Sequence, residues 1–189
     1  MHRRLLRACL LLLTCSALLA NLPLAGQDQE AQDQGDQDQE AQGQEAQNLG
    51  PETNLPLPRF VALKDNEARM RSQPSVKHSI EFVYKRAGLP LMVLEERGNW
   101  RRVRDHEGIE GWMYVKLLVN ERTFRVMAPV SKLYLRAQET SPVRAELAQG
   151  VIGDIKRCRR DGWCRLVVER VAGWGRAEDL WGVFPGEEF

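Results

Sequence analysis

The chain repeats itself from about residue 59 onward, and that repetition limits the size of any single folded unit. Five ordered matches carry it: Met70-Arg71 with Leu135-Arg136, Gly88 with Gly150, Trp100 with Trp163, Gly111-Trp112 with Gly173-Trp174, and Leu118 with Leu180. The successive intervals are 17 against 14, 12 against 13, 11 against 10 and 7 against 7 residues. A unit of about 60 residues buries only about 60% of the surface its unfolded chain exposes, so each repeat gains by packing on the other.

The residues between the matches read as strands. Phe60–Leu63, Ile80–Tyr84, Leu91–Leu94, Trp100–Arg104, Val151–Ile155 and Arg165–Val168 are short runs rich in β-branched or aromatic residues, fenced by Gly, Pro, Asn or Asp. No segment carries a sustained helical stripe. The expectation is an all-β chain of two small barrels of about five strands each, over residues 59–122 and 123–189. Trp112 and Trp174, at matching places, are expected in the two cores, and Trp181 over the base of the second barrel.

Two further segments precede the repeats. A basic head with Arg3, Arg4 and Arg7 runs into an apolar stretch from Ala8 to Ala20, shorter than the roughly 20 residues that span a bilayer, with small residues at Ala20 and Ala25. This reads as a cleaved signal peptide over residues 1–25, with no membrane span after cleavage and a periplasmic or secreted destination. A twin-arginine signal at Arg3-Arg4 fits less well because the pair lacks the rest of its usual context, and a lipoprotein box at Leu12-Leu13-Thr14-Cys15 because Thr14 is a poor lipobox residue. Residues 26–58 read as a disordered Gln/Asp/Glu-rich linker. Its acids number eight with no Lys or Arg, whereas residues 59–189 hold 24 Lys and Arg against 18 acids, so the folded part is basic. Leu55-Pro56-Leu57-Pro58 is expected to close the linker as a polyproline-type segment.

Past Ala25 only Cys158 and Cys164 remain, and in an oxidising compartment such a pair becomes a disulfide. A three-residue loop Arg160-Asp161-Gly162, with Gly162 left-handed, sets the two cysteines opposite each other. Metal ligation and redox activity fit less well, for lack of further Cys or nearby His. Superposing Trp163 on Trp100 puts Glu95 and Arg101 in the cysteines' places, so these two are expected to face each other as a cross-strand ion pair.

Nothing in the sequence assembles a catalytic centre. There is no Gly-x-Ser-x-Gly, no His-Glu-x-x-His and no phosphate-binding glycine loop. His78 and His106 lie in polar loop stretches, and Gly108-Ile109-Glu110-Gly111 reads as a hairpin turn. The chain is therefore expected to be no enzyme and to need no cofactor and no metal.

Each repeat resembles the bacterial SH3 domain. The resemblance rests on Met70-Arg71, Gly88, Trp100, Gly108-Ile109-Glu110-Gly111-Trp112 and Leu117-Leu118, and on Leu135-Arg136, Gly150, Gly162-Trp163, Gly173-Trp174 and Asp179-Leu180. It implies two SH3-like barrels and, since relatives of this module bind peptidoglycan or its peptides, a cell-wall binding function. The alternative is an interaction scaffold for another envelope protein. Trp100, Arg102, Tyr114 and Trp163 are the candidate ligand-binding residues, because Trp100 and Arg102 share a strand face and a basic, aromatic surface suits an anionic or glycan-peptide ligand. Buried Trp and solvated Arg are the competing reading of the same residues. Nucleic acid is not an expected partner outside the cytoplasm.

Overall fold

The computed structural model describes residues 48–189, so the signal peptide and most of the acidic linker lie outside the described residues. The first repeat comprises β1 (Arg59–Leu63), β2 (Ala68–Arg71), β3 (Ile80–Tyr84), β4 (Pro90–Arg97), β5 (Trp100–Arg104), β6 (Glu110–Tyr114) and β7 (Leu118–Val119). The second comprises β8 (Thr123–Val126), β9 (Val130–Tyr134), β10 (Val143–Ala148), β11 (Ile152–Cys158), β12 (Trp163–Val168), β13 (Val171–Arg176) and β14 (Leu180–Trp181). The helices among the described residues are two three-residue 3-10 turns, Val115–Leu117 and Ala177–Asp179, and none is long and apolar enough to cross a membrane.

Strand order is β3-β2-β6-β5-β4-β1-β7 in the first sheet and β10-β9-β13-β12-β11-β8-β14 in the second, so the repeats share one topology. The end strands of each sheet do not pair with each other. The barrels expected from sequence are thus open seven-stranded sheets, the extra strands including closing strands of only two residues. Val61, Met70, Tyr84, Leu91, Val103 and Met113, from six strands, bury into one cluster, which requires the sheet to curl around it. The second cluster is built in the same way from Phe124, Leu133, Leu147, Ile155, Leu166 and Leu180.

The register corrects three sequence expectations. First, Arg71 pairs with Trp112 and Tyr134 pairs with Trp174, so Met70-Arg71 matches Leu133-Tyr134 and not Leu135-Arg136. Met70 and Leu133 are fully buried, whereas Leu135 lies past the end of β9 and is exposed. Second, the hairpin loops differ in length. Arg97 pairs with Trp100 across Gly98-Asn99, while Arg159 binds Trp163 across Arg160-Asp161-Gly162, with Gly162 left-handed. The shorter first loop moves the register by one. The residues corresponding to Cys158 and Cys164 are therefore Glu96 and Arg101, and Glu95 faces Arg102 instead. Third, Trp112 is buried as expected, at 7% exposure, but outside the first hydrophobic cluster, and Trp174 is only partly buried; both stand on the outer faces of their sheets. Strand alternation sends Gly111 and Met113 inward, Gly111 lying so close to Met70 that a Cβ would come within 2.6 Å of its Cγ. The outward faces of Trp112 and Trp174 are covered by the guanidinium groups of Arg97 and Arg157, at 5.4 and 4.9 Å from the ring centres.

Cys158 and Cys164 are disulfide-bonded, with Cα atoms 4.1 Å apart, and both belong to the second core. At the matching place in the first repeat the Glu96 side chain is fully buried. It takes hydrogen bonds from the Glu52 and Thr53 amides (2.9 and 3.0 Å), the Thr53 hydroxyl (2.7 Å) and Arg59 (2.7 Å), with Arg101 Nε at 3.3 Å. Those contacts fold residues 48–58 onto the repeat, and Leu49 bridges Pro56, so this last part of the expected disordered linker is ordered. The Leu57–Pro58 bond is cis, which departs from the all-trans polyproline form expected there.

The repeats pack on each other through the tail. Trp181 does not cover the base of its own sheet. It meets Phe60 of the first repeat edge to face, 5.2 Å between centres, and its Nε1 donates to the Pro90 carbonyl at 3.1 Å. Phe184 packs on the same Phe60 ring at 4.7 Å. Arg122 holds the tail by gripping Glu187 with two bonds of 2.7 and 2.8 Å and stacking on Phe189.

Candidate functional site

Two of the four candidate residues meet in one groove. The pairing of β5 with β6 places Trp100 opposite Tyr114, and their rings lie edge to face 5.5 Å apart. Arg69 and Arg71 reach the groove from β2, Leu117 lies in the turn after β6, and Val76 overhangs from the loop joining β2 to β3. That loop is tied at its base, Arg71 donating to the His78 carbonyl (2.6 Å) and the Ser72 and Ser79 hydroxyls lying 3.0 Å apart. The groove is open to solvent, its volume is about 330 Å³, and Glu67 also lines it. This is within the usual range for ligand clefts of roughly 300–1,000 Å³.

The charges in the groove are unequally neutralised. Glu67 is bridged by Lys85 (2.9 Å) and Arg69 (3.1 Å), and the hydrogen bond from Lys85 leads the interactions that hold its carboxyl below the usual range. Arg71 has no carboxylate within ion-pair distance among the described residues, so it is the free cation beside the aromatic pair.

Arg102 does not line this groove. It shares the outer face with Trp100 and Trp112, but its guanidinium is pinned between Glu95 (3.1 Å) and Glu110 (3.2 Å). Trp163 lies in the second repeat, within a set of its own. Tyr134 meets it edge to face at 5.6 Å, and Arg176 lies over its ring at 5.0 Å.

The two sets have the same composition with two members exchanged. Trp100 pairs with Tyr114 as Trp163 pairs with Arg176, and Arg71 holds the β2 position that Tyr134 holds in β9. Each repeat therefore assembles one Trp, one Tyr and one Arg, with Tyr and Arg swapped between strands. The exchange has a physical consequence: Arg176 covers its Trp, leaving Trp163 only 7% exposed, whereas Trp100 remains half-buried and open to the groove. Sequence reasoning missed Arg71 as a groove residue although it singled out the position. The signal was the Arg that follows a short apolar strand.

The bacterial SH3 domain family matches the chain twice, over residues 64–119 and 129–182. The chain belongs to this family. Each match takes in its sheet apart from the opening strand, β1 or β8, and the turn-and-strand segment bearing Gly111-Trp112 and Gly173-Trp174 falls inside each. No curated protein matched. Two solved structures are similar over part of their length, NlpC2 and NlpC1 of Trichomonas vaginalis, both at 12% identity and with TM-scores of 0.31 and 0.32. They cover 66% and 70% of this chain, which itself spans 48% of each of them, about half their length.

Proposed function

We propose that this tandem bacterial SH3 protein is an exported, non-catalytic module that binds peptidoglycan or its stem peptides through the groove of the first repeat. The observation that carries the reading is the open Trp100–Tyr114 pair beside Arg71, whose charge no carboxylate neutralises among the described residues. Stem peptides present carboxylates to a guanidinium, and sugar or peptide faces to aromatic rings. Export is supported by the Cys158–Cys164 disulfide, which an oxidising compartment maintains. Arg102 is assigned a supporting role, fixing the face on which Trp100 stands, and Trp163 a masked one beneath Arg176.

Co-sedimentation with purified sacculi tests the reading. The protein is expected in the pellet at low and moderate salt. Trp100→Ala and Arg71→Gln are each expected to weaken retention about tenfold, the scale of one charge-assisted hydrogen bond or one aromatic contact. Equal retention of both variants, or no enrichment of the unmodified protein, removes wall binding through this groove. The scaffold reading rests on a different surface, the unpaired edge of β3, where Ile80 and Phe82 are exposed.

A further inference from the structure

A second concavity lies where the repeats meet, apart from the groove at Trp100. Its walls are Phe60 and Met92 of the first repeat and Trp181 and Phe184 of the tail, and its volume is about 420 Å³. Neither repeat contains it alone. The walls are apolar, but Arg176 and Glu178 stand together at one rim, 3.4 Å apart. Arg176 is under-used as a donor: its hydrogen bonds, to Glu178 and to the Asp161 carbonyl, are both 3.4 Å long, at the outer limit of such bonds. Glu178 is largely exposed, so this ion pair is weak and open to competition.

The rim therefore offers a cationic fork and an adjacent carboxylate acceptor, immediately beside an aromatic slot. A ligand that matches all three carries an anionic acceptor, a neighbouring N–H donor and an apolar side chain on one centre. We propose that the inter-repeat cleft binds a free peptide C-terminus ending in an aromatic or large apolar residue. The terminal carboxylate sits on Arg176, the amide N–H of the last residue donates to Glu178, and the last side chain lies in the cleft against Trp181 and Phe184. A fatty acid supplies the anion and the apolar chain but no donor for Glu178, and leaves that carboxylate facing its own.

The test uses the full-length ¹⁵N-labelled protein and follows the Trp181 indole N–H, identified by its loss in Trp181→Phe. N-acetyl-Ala-Phe with a free carboxylate is expected to shift this resonance saturably and to leave the Trp100 indole unmoved. Its C-terminal amide is expected to bind at least tenfold more weakly, and decanoate no better than the amide. In Arg176→Gln the preference for acid over amide is expected to fall to within about twofold. Equal binding of acid and amide overturns the proposal, as does decanoate binding as tightly as the acid or an unperturbed Trp181. A shift at Trp100 in place of Trp181 assigns the peptide to the first groove and likewise overturns it. An unchanged preference in a folded Arg176→Gln variant removes the assignment to Arg176.

Discussion

The Glu96 carboxylate and the Cys158 sulfur hold corresponding places in two copies of one hairpin, and they secure it by different means. Burial pushes the Glu96 carboxyl up, but hydrogen bonds from Thr53, Arg59 and the Glu52 amide and the charge of Arg101 outweigh it, so the group is held below the usual carboxylate range. Glu187 follows the same pattern, burial being outweighed by the bonds from Arg122 and the Phe184 amide. Removing one partner of a buried ion pair costs about 3–5 kcal/mol, so Glu96→Gln is expected to lose roughly 3 kcal/mol in urea denaturation. The pH dependence follows from the direction of the shifts. A carboxyl depressed in the folded state stabilises fully above its unfolded pKa of about 4.3, and that contribution fades as pH falls through the lower folded value. The Glu96 contribution is therefore expected to be level from neutral pH down to about pH 5 and to fade below about pH 4, so that the drop below pH 4 is shallower in Glu96→Gln. An equally steep acid transition in that variant would exclude Glu96 as a source.

At the scale of elements, six of the fourteen strands among the described residues were legible and the register was not. Ile80–Tyr84 and Trp100–Arg104 declare themselves by β-branched and aromatic content between turn residues, and the structure places β3 and β5 on those residues. Register depends on loop length, and a one-residue difference exchanges the two faces of a strand. That is why Glu95 stood in for Glu96. Trp112 and Trp174 were expected in the cores because they match between the repeats; Trp112 is buried, but on the outer face, and it is the neighbours Gly111, Met113, Gly173 and Gly175 that turn inward. Leu133-Tyr134-Leu135 offers two leucines of equal hydrophobicity, and only the end of β9 at Tyr134 decides which is buried. The second hairpin depends on its cross-link. Closing a loop this short restricts the unfolded chain by about 2 kcal/mol, and the sulfurs also fill part of the core. The double variant Cys158→Ala, Cys164→Ala is expected to lose at least that much, measured as a lowered thermal midpoint. Reducing agent should lower the midpoint of the unmodified protein but not that of the variant.

For the whole molecule, the contact between repeats is what sequence could not disclose, because it joins residues remote in the chain. Phe60 reads as an ordinary strand residue, yet its ring is buried by Trp181 and Phe184 of the other repeat's tail. Sequence gave notice that the second tail was distinctive but not where it went. This junction couples the stabilities of two units that are each marginal in size. The unmodified protein is expected to unfold in one calorimetric transition. Trp181→Ala removes an edge-to-face contact and the bond to Pro90, and is expected to split that transition into two, the first repeat melting earlier. A single transition in the variant, lowered as a whole, would show that the coupling runs through other contacts. The candidate groove was partly legible: Trp100 and Tyr114 were each named as candidates, whereas their pairing across β5 and β6, and Arg71 beside them, needed the fold to bring the strands together.

Arg59 opens β1 and Arg122 stands immediately before β8, and each clasps a carboxylate that pins a flanking segment: Glu96 for residues 48–58 and Glu187 for the tail. In mechanical terms these are strain reliefs. A pull arriving from the N-terminal side at Asn48 loads the Thr53–Glu96–Arg59 cluster before it reaches β1, and a pull on Phe189 loads Arg122 before it reaches β14. Tension would be spent first on polar contacts that re-form on release, and the two hydrophobic clusters would be the last parts of the molecule to feel it.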